Sequence, residues 1–281
     1  MSERGGKKNM CNAMTVDVEA WFQTVLFERN QRAHVGNLVQ NVTEIMLILD
    51  EFGVKATFFV SGVVAERAPE IVAQISSRGH EIASHGYRHA LVYKMSPQEF
   101  ADDVGRSMDI LKGITGVRVM GYRAPTWSIF RNMDWAISAL KGLGLKYDSS
   151  IYPVSRNIFK CPALPTAPYL ITDGLVEFPP PVFKCLGYNM PFAGGTFLRF
   201  FPEELISRKF LEINALGQPA LAYFHSWEFD DILPEAGMSY WKRWVQYGNV
   251  RSVRVKLRAM LNKFKFTSMR AVLQEARLIV A

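Results

Sequence analysis

Cysteine is scarce in this chain, and its few cysteines lack the spacing of a metal or redox motif. Only Cys11, Cys161 and Cys185 occur among 281 residues, and no two of them form a Cys-x-x-Cys pair. A disulfide scaffold needs a denser, paired set, so that class is excluded. We interpret Cys161 and Cys185 as small hydrophobic residues, and the low cysteine count indicates a reducing compartment.

Long apolar runs are also absent. No charge-free apolar stretch of about 18 residues occurs, which argues against a membrane-spanning helix. Residues 1–13 are polar and basic, with Lys7 and Lys8 but no apolar stretch behind them, unlike a secretory signal peptide. We therefore expect a cytoplasmic protein whose first 12 residues are flexible.

The balance of residue types is that of a globular domain. Hydrophobic residues make up 49% of the chain and charged residues 21%, which excludes a disordered chain. The 20 glycines and 14 prolines exclude a collagen-like or proline-rich protein, and no internal repeat is visible. A length of 281 residues is compatible with one α/β barrel domain.

Acidic residues are nearly absent from the C-terminal region. Residues 241–281 contain ten lysines and arginines but one acid, Glu275, whereas the whole chain carries a net charge of +7. A basic run of this kind is typical of contact with nucleic acid, an anionic membrane surface or an acidic substrate, or of a solvated helix face. Leu257, Leu261 and Phe264 recur at helical spacing, which favours a helix packed on the domain.

Short apolar runs alternate with amphipathic helical stretches along the chain. Helices are predicted around the apolar stripe of residues 38–49, from Pro69 to Ser77, and after the capping box that Ser96 and Glu99 form. Such alternation predicts βαβ units with a parallel sheet, and at this length a distorted α/β barrel. The predicted strands cover residues 14–16, 56–60, 81–84, 119–122, 146–149, 176–178 and 220–224.

Polar side chains follow several of these strands. Because functional residues of α/β barrels gather at the C-terminal ends of the strands, we expect these side chains to lie together. Two histidines with a carboxylate are a common ligand set for Zn²⁺ or another divalent ion. Each residue alone has a structural alternative, such as a helix cap, an ion pair or a core histidine, so the joint placement carries the prediction. The set comprises Asp17, Glu19, His85, His89, Arg123, Asp148 and His225.

Five motifs occur in a fixed order: Thr15-Val16-Asp17, Ser84-His85-x-x-x-His89, Arg123-Ala124-Pro125-Thr126-Trp127, Tyr147-Asp148-Ser149-Ser150 and Tyr223-Phe224-His225. In this order they resemble the polysaccharide deacetylase family (NodB homology, carbohydrate esterase family 4) over roughly residues 12–230. The longer stretches Asp17-Val18-Glu19-x-Trp21-Phe22-Gln23 and Phe224-His225-x-Trp227-Glu228 are similar to deacetylases found beside exosortase/PEP-CTERM exopolysaccharide gene clusters. The region from Trp227 to Phe266 is similar to the C-terminal extension of that subgroup.

The resemblance implies a fold and an activity. The fold is a distorted (β/α)7-type barrel over residues 13–230, followed by a basic helical extension over residues 231–281 that packs on the barrel. The activity is metal-dependent hydrolysis of N-acetyl groups on amino sugars of an oligo- or polysaccharide, such as an exopolysaccharide precursor. Zinc is the expected metal, with cobalt, nickel, manganese or iron as alternatives.

The resemblance also implies roles for individual residues. His85 and His89 would hold the metal, and Glu19 would stand where the family has a second acidic ligand. Asp17 would be the general base, fixed by Arg123, and His225 would protonate the leaving amine. Asp148 would help to hold Arg123 or His225, and backbone N–H groups near Tyr152 and Pro153 would stabilise the oxyanion. Substrate contacts are expected from Tyr152, Pro153, Trp127, Gly195, Phe197 and Trp227.

Two departures from the family pattern keep other functions open. The common pattern has adjacent aspartates where this chain has Asp17-x-Glu19, and the subgroup often has an acid where this chain has Ala20. The alternatives are an amide hydrolase of the allantoinase-like branch and a catalytically decayed carbohydrate-binding module, although the intact polar set argues against decay. The expected partner is an N-acetylated glycan and not nucleic acid. A precursor at the inner face of the membrane, near the basic tail, would suit a cytoplasmic enzyme.

Overall fold

The structure is a computed structural model, and it describes residues 10–19, 37–154, 164–231 and 239–280. Ala20, Cys161 and most of the segment predicted to be a flexible N-terminus lie outside the described residues. The strands are β1 (Cys11–Val18), β2 (Thr57–Val60), β3 (Glu81–Ser84), β4 (Gly121–Tyr122), β5 (Tyr147–Asp148), β6 (Tyr169–Thr172), β7 (Leu175–Glu177), β8 (Val182–Cys185), β9 (Tyr188–Pro191), β10 (Leu221–His225) and β11 (Lys265–Thr267).

The helices surround the main sheet and begin or end at residues that the sequence marks. The capping box of α4 is present, because Ser96 Oγ accepts from the backbone N–H of Glu99 and the Glu99 carboxylate accepts from that of Ser96. The helices are α1 (Leu38–Glu51), α2 (Gly62–Arg67), α3 (Pro69–Ser77), α4 (Pro97–Thr115), α5 (Asp134–Gly142), α6 (Gly195–Phe200), α7 (Glu203–Ala215), α8 (Tyr240–Tyr247), α9 (Ser252–Lys263) and α10 (Met269–Glu275).

One large sheet organises the molecule, with the strand order β10-β1-β2-β3-β4-β5-β7-β6. The first seven strands of this order are parallel, and they are the seven strands predicted from the sequence. β6 is antiparallel to β7, β11 pairs with the first residues of β1, and β8 and β9 form a separate hairpin. The predicted α/β fold with a distorted barrel is confirmed.

The sheet curls so that residues after distant strands meet. Tyr152 follows β5 and Tyr223 lies on β10, yet their hydroxyl groups are 3.5 Å apart. The ring of Trp127, which follows β4, lies 5.2 Å from each of these two tyrosine rings. On the other side of β10, Gly194 forms an isolated parallel bridge with Tyr223. The carboxyl ends of the strands therefore surround one central space.

The sheet is buried on both faces, as expected for parallel strands covered by helices. All four residues of β2, the run Thr-Phe-Phe-Val, are buried. The outer face packs against apolar residues of α1, α3 and α4, and the inner cluster contains Phe59, Tyr147 and Phe178. Met269 and Leu273 of α10 belong to this inner cluster, so the C-terminal helix closes one end of the barrel.

The C-terminal segment is connected to the barrel at several points. Glu81 of β3 accepts hydrogen bonds from Thr57 (2.6 Å), Tyr147 (2.8 Å) and the backbone N–H of Arg270 (3.0 Å). In α9, Leu257 and Leu261 are buried, in agreement with the helical spacing predicted there. Within the described ranges, no helix has the length and apolar character needed to cross a membrane.

Candidate active site

The strand register brings the predicted polar residues to one end of the barrel. Asp17, at the end of β1, lies directly opposite His225 on β10. Ser84 of β3 lies opposite Tyr122 of β4, so His85 and Arg123 both follow paired residues. Because neighbouring parallel strands run in the same direction, their carboxyl ends place all four side chains at one edge.

Three side chains form a cluster suited to a metal ion. One ligand atom each from Glu19, His85 and His89 lies within 4.8 Å of the others. His85 Nε2 is 3.8 Å from Glu19 Oε2, and His89 Nε2 contacts the same oxygen. The two imidazole rings are 5.0 Å apart and nearly perpendicular. Among the residues that the structure describes, this is the one such group of three ligand-type side chains.

Outer contacts orient two of these ligands. His85 Nδ1 donates to the carbonyl oxygen of Arg123 at 2.8 Å, which leaves Nε2 for the cluster. Glu19 Oε1 accepts from the indole N–H of Trp227 at 2.9 Å, which leaves Oε2 for the cluster. The backbone of Glu19 is held by the hydroxyl of Ser226. Two imidazoles and a carboxylate, each oriented from behind, fit a divalent transition-metal ion.

The charge state of Glu19 is also suited to a ligand. Burial by itself raises the carboxyl pKa, but the imidazoles of His89 and His85 outweigh it and hold the pKa of Glu19 well below its usual value. His89 and the neighbouring Trp127 have positive φ angles of 55°, which non-glycine residues rarely adopt. Backbone strain of this kind concentrates at functional sites.

Asp17 is held from one side by Arg123, which is fully buried. Arg123 Nη1 donates to Asp17 Oδ1 at 2.7 Å and to Thr15 Oγ1 at 3.0 Å, and Nη2 donates to Ser149 Oγ at 3.2 Å. The guanidinium lies 4.6 Å from the centre of the Trp127 ring. This arrangement occupies one oxygen of Asp17, while Oδ2 faces His225 Nε2 at 4.0 Å.

His225 has a carboxylate partner of its own. Glu228 Oε2 lies 3.3 Å from His225 Nδ1 and accepts from its backbone N–H at 3.0 Å. Burial lowers the imidazole pKa, but the hydrogen bond and charge of Glu228, with the charges of Glu19 and Asp17, raise the pKa of His225 to about 9. The ring also stacks on Trp227 at 5.3 Å. His225 therefore carries a proton at neutral pH.

Asp148 lies in a different place from the one predicted. We predicted that it holds Arg123 or His225, but its carboxylate accepts from Ser150 and lies beside Glu177, its partner on β7. Neighbouring residues at the end of a strand point in opposite directions, and here Ser149 accepts the hydrogen bond from Arg123, whereas the guanidinium acts on Asp148 through its charge. Glu228 takes the place beside His225.

Of the residues predicted to bind substrate, some lie beside Arg123 and His225, and the others are buried behind the site or packed against other residues. Trp127 and Tyr152 are half-buried beside Arg123, and a side chain at Gly195 would lie 3.5 Å from the His225 ring. Trp227 is buried behind Glu19 and His225, so it supports the site from behind. Pro153 is buried and its carbonyl accepts from Asn189. Phe197 is half-buried on α6, where its ring contacts Phe201.

Sequence reasoning assigned no role to Glu228, Arg199 or Glu177. Arg199 is buried, and its Nε lies 3.3 Å from Glu228 Oε1. A signal for Glu228 exists in the sequence, because it stands three residues after His225, the spacing of a capping box, which the structure contains. For Arg199 and Glu177 no local pattern indicates the contact, since their partners are distant in the chain.

Comparisons with known proteins agree with this geometry. Residues 27–147, which include His85, His89 and Arg123, match the polysaccharide deacetylase family. Residues 149–274 match a domain of unknown function (DUF3473). The chain is similar to a peptidoglycan deacetylase-like protein of Gibberella zeae, with 34% identity over 112 residues, or 39% of this chain and 32% of that protein.

Two further similarities concern a curated relative and a solved structure. A peptidoglycan-N-acetylglucosamine deacetylase of Bacillus cereus is 35% identical over 123 residues, or 40% of this chain and 45% of that protein. The chain thus matches less than half the length of each of these relatives. The crystal structure of a candidate polysaccharide deacetylase from Mycobacterium smegmatis has a TM-score of 0.64 at 23% identity, covering 100% of this chain and 94% of that one, which shows the fold. Residues 27–147 therefore match the polysaccharide deacetylase family, and the described chain has the fold of that solved structure.

Proposed function

We propose that this protein is a metal-dependent hydrolase that removes N-acetyl groups from amino sugars of an oligo- or polysaccharide. The observation that carries the proposal is the placement of Asp17 Oδ2, 4.0 Å from His225 Nε2, at the same strand ends as the cluster of Glu19, His85 and His89. A proton acceptor, a proton donor and a metal-ligand set thus lie together. Metal-assisted amide hydrolysis uses these three components.

The metal would be held by Glu19, His85 and His89. A divalent ion bound there supplies Lewis acidity toward the acetyl carbonyl group. Two imidazoles and one carboxylate favour zinc, and cobalt, nickel, manganese and iron accept the same donors. The side chain of Glu19, which is longer than that of aspartate, suits this position because Trp227 binds one carboxylate oxygen and the other faces the histidines.

Asp17 and His225 would carry the two proton transfers. Asp17 takes a proton from the attacking water at Oδ2, because Arg123 occupies Oδ1 and keeps the carboxylate oriented. The water oxygen bonds to the acetyl carbon, and the bond between that carbon and the sugar nitrogen breaks. His225, protonated at neutral pH, donates its Nε2 proton to the departing nitrogen. The products are acetate and a free amino sugar.

The substrate is proposed to be an N-acetylhexosamine in a glycan precursor. The name of the Bacillus cereus relative specifies N-acetylglucosamine in peptidoglycan, which supports this sugar class. The resemblance to the exosortase/PEP-CTERM subgroup supports an exopolysaccharide precursor. A cytoplasmic enzyme would meet such a precursor at the inner face of the membrane.

Metal content and acetate release test the proposal together. We expect about one equivalent of divalent metal in the purified wild type and none in His85→Ala. Wild type should release acetate from N-acetylated chito-oligosaccharides, whereas His85→Ala and Asp17→Asn should not. His80→Asn is the control, because it removes a buried imidazole whose Nδ1 accepts from the backbone N–H of Ala56, outside the cluster.

The results also separate the alternatives. Activity on small linear or cyclic amides without activity on oligosaccharides would replace the proposal with an amide hydrolase. A wild type that binds oligosaccharide but takes up no metal after reconstitution would replace it with a carbohydrate-binding module.

A further inference from the structure

Five of the ten cations in the C-terminal region have partners within the molecule. Lys256 is buried, and its ammonium group donates to the backbone carbonyls of Leu198, Arg199 and Phe201, each at 2.7 Å. These cations are therefore not free to form an open basic surface. The other pairs within the molecule are Arg254 with Glu44, Arg258 with Glu51, Lys263 with Glu203, and Arg270 with Glu81.

Helix α8 differs from these paired segments, because its charged side chains and its aromatic rings are exposed to solvent. Lys242 and Arg243 are exposed, and no ion pair involves them within the part of the chain that the structure describes. Tyr240 is 85% exposed, Trp241 is 67% exposed and Trp244 is 42% exposed. Large aromatic side chains rarely stand so open on a protein surface without a partner.

The aromatic residues of α8 form one continuous face. Tyr240 and Trp244 are one helical turn apart, and the Trp241 ring stacks on the Trp244 ring at 5.1 Å. The Trp244 ring in turn packs on Phe200 at 4.5 Å. The face therefore packs against the barrel through Phe200, with basic side chains beside it on the same short helix.

The C-terminal end of α8 is fixed next to the candidate active site. Arg199 donates to the carbonyl oxygens of Val245 and Gln246. The ring of Tyr247 lies 6.1 Å from that of Trp227, whose indole N–H binds Glu19. The inner end of the helix is thus anchored, while its first five residues are exposed beside the barrel end that carries the site.

We propose that α8 docks this protein onto an anionic lipid surface. Tyrosine and tryptophan rings favour the boundary between lipid headgroups and acyl chains, and adjacent lysine and arginine side chains bind lipid phosphates. Tyr240, Trp241 and Trp244 enter this boundary, and Lys242 and Arg243 contact the phosphates. Lys242 and Arg243 adjoin the exposed aromatic rings, whereas half of the cations of the region have partners within the molecule, so we assign the membrane contact to α8 and not to the basic tail as a whole.

Two other occupants fit the same face less well. Trp241 and Trp244 cover each other's ring faces, which leaves fewer faces for sugar rings, and an N-acetylated glycan offers no anion to Lys242 and Arg243. A second copy would bring like charges together at the same face. The charge of an anionic lipid surface is complementary to this helix.

Vesicle co-sedimentation tests the proposal without any catalytic measurement. We expect wild type to bind vesicles of phosphatidylcholine with phosphatidylglycerol, and to bind phosphatidylcholine alone much more weakly. Lys242→Ser/Arg243→Ser and Tyr240→Ser/Trp241→Ser should each weaken binding roughly tenfold. The matched controls are Lys112→Ser/Lys141→Ser, which removes two exposed lysines elsewhere, and Leu211→Ser/Leu216→Ser, which removes two exposed apolar side chains; both should bind like wild type.

Several outcomes would overturn the proposal. Failure of the wild type to bind the anionic vesicles would overturn it, and so would binding of the two α8 variants as tight as that of wild type. A loss of oligosaccharide affinity in Tyr240→Ser/Trp241→Ser with vesicle binding intact would assign the face to a glycan. A concentration-dependent dimer that this variant abolishes would assign it to a second copy. Metal content and acetate release from soluble oligosaccharide, measured without vesicles, test the proposed function separately.

Discussion

His225 is hydrogen-bonded to Glu228 through Nδ1 and faces Asp17 through Nε2. The two carboxylates therefore act on opposite sides of one ring. Glu228 orients the imidazole and favours its charged form, while Asp17 stands where a water molecule and the substrate would meet. Trp227, stacked on the ring, restricts its rotation. The geometry thus keeps a proton on the face of His225 that points into the site.

Removing the charge of Glu228 should change the pH dependence of the proposed reaction. Glu228→Gln keeps an acceptor for the backbone N–H of His225 but lowers the pKa of the ring from about 9. Because His225 is proposed to act as the acid, we expect activity to fall as the pH rises through its pKa. The alkaline limb of acetate release should therefore move to lower pH by about 1 unit or more.

Metal content should be unchanged in Glu228→Gln, which separates this effect from a loss of the cluster. Glu70→Gln on the exposed surface of α3 is the matched control. An alkaline limb at the wild-type position would contradict the assignment of Glu228.

Asp148 and Glu177 form a buried carboxyl pair between β5 and β7. They lie directly opposite each other, and both are fully buried. Burial, opposed by the hydrogen bond from Ser150, raises the pKa of Asp148 to about 7, and burial with the charge of Asp148 raises that of Glu177 well above its usual value. Asp148 Oδ2 and Glu177 Oε2 have no hydrogen-bond partner among the described residues, and we therefore expect the pair to share a proton.

This pair should make the fold less stable as the pH rises. Unfolded aspartate and glutamate titrate near pH 4, so the stability that the protonated pair contributes is complete below about pH 4 and is lost as the pH rises through about 7. Glu177→Gln replaces the shared proton by an amide donor. Relative to wild type, its free energy of unfolding should increase by about 2 kcal/mol between pH 4 and pH 8, measured by urea denaturation.

The complementary variant Asp148→Asn, which changes the other carboxyl group of the pair, should also reduce the fall of the unfolding free energy with rising pH. Parallel curves of unfolding free energy against pH for wild type and Glu177→Gln would show that the pair does not share a proton.

At the scale of elements, α6 connects the C-terminal helices to the candidate site. Lys256 of α9 donates to three carbonyl oxygens at the end of α6, where cations also favour the helix dipole. Arg199, also on α6, forms an ion pair with Glu228 and donates to backbone carbonyl groups of α8. The position of Gly195 beside His225 therefore depends on contacts made by residues much later in the chain, from Glu228 to Lys256.

Lys256→Met should test this connection. The variant removes one donor from three buried carbonyl oxygens, of which that of Arg199 still accepts from Asn249 and Ser252, so the free energy of unfolding should fall by about 2 kcal/mol. Acetate release should fall as well, because α6 loses its anchor. Lys263→Met is the matched control, since Lys263 forms an exposed pair with Glu203 that contributes at most about 1 kcal/mol. Equal losses in the two variants would contradict this role.

The strands that the sequence did not predict, such as β8, β9 and β11, are short and form only because they pair with another strand. The turn of the β8–β9 hairpin consists of Leu186 and Gly187, both with positive φ, and leucine gives no turn signal. β11 has three residues and exists because it pairs with β1. The seven parallel strands were predictable because their apolar, β-branched content is local.

At the scale of the whole molecule, the C-terminal helix α10 completes the barrel. Val272 and Leu273 are buried against the inner cluster, and Glu81 and Thr57 bind the backbone at the start of the helix. The boundaries at residues 12 and 230 and the cytoplasmic location stay predictions. From the contacts of α10 we expect that this helix and the barrel unfold together.

Leu273→Ala should destabilise the entire barrel by about 2 to 5 kcal/mol, because it opens a cavity in the inner cluster. Urea unfolding followed by circular dichroism should show one shifted transition. Leu211→Ala, at a position 60% exposed on α7, should change the unfolding free energy little. An unshifted main transition in Leu273→Ala would mean that the C-terminal segment folds apart from the barrel.

The sequence by itself determined the class of fold, the seven parallel strands and the residues at their ends. These features follow from apolar periodicity and from the rule that strand ends share one edge. Only the tertiary structure decided which carboxylate serves His225, that Asp148 pairs with Glu177, and that much of the basic charge is neutralised internally. The physical reason is that partners and pKa values depend on burial and on contacts between residues far apart in the chain.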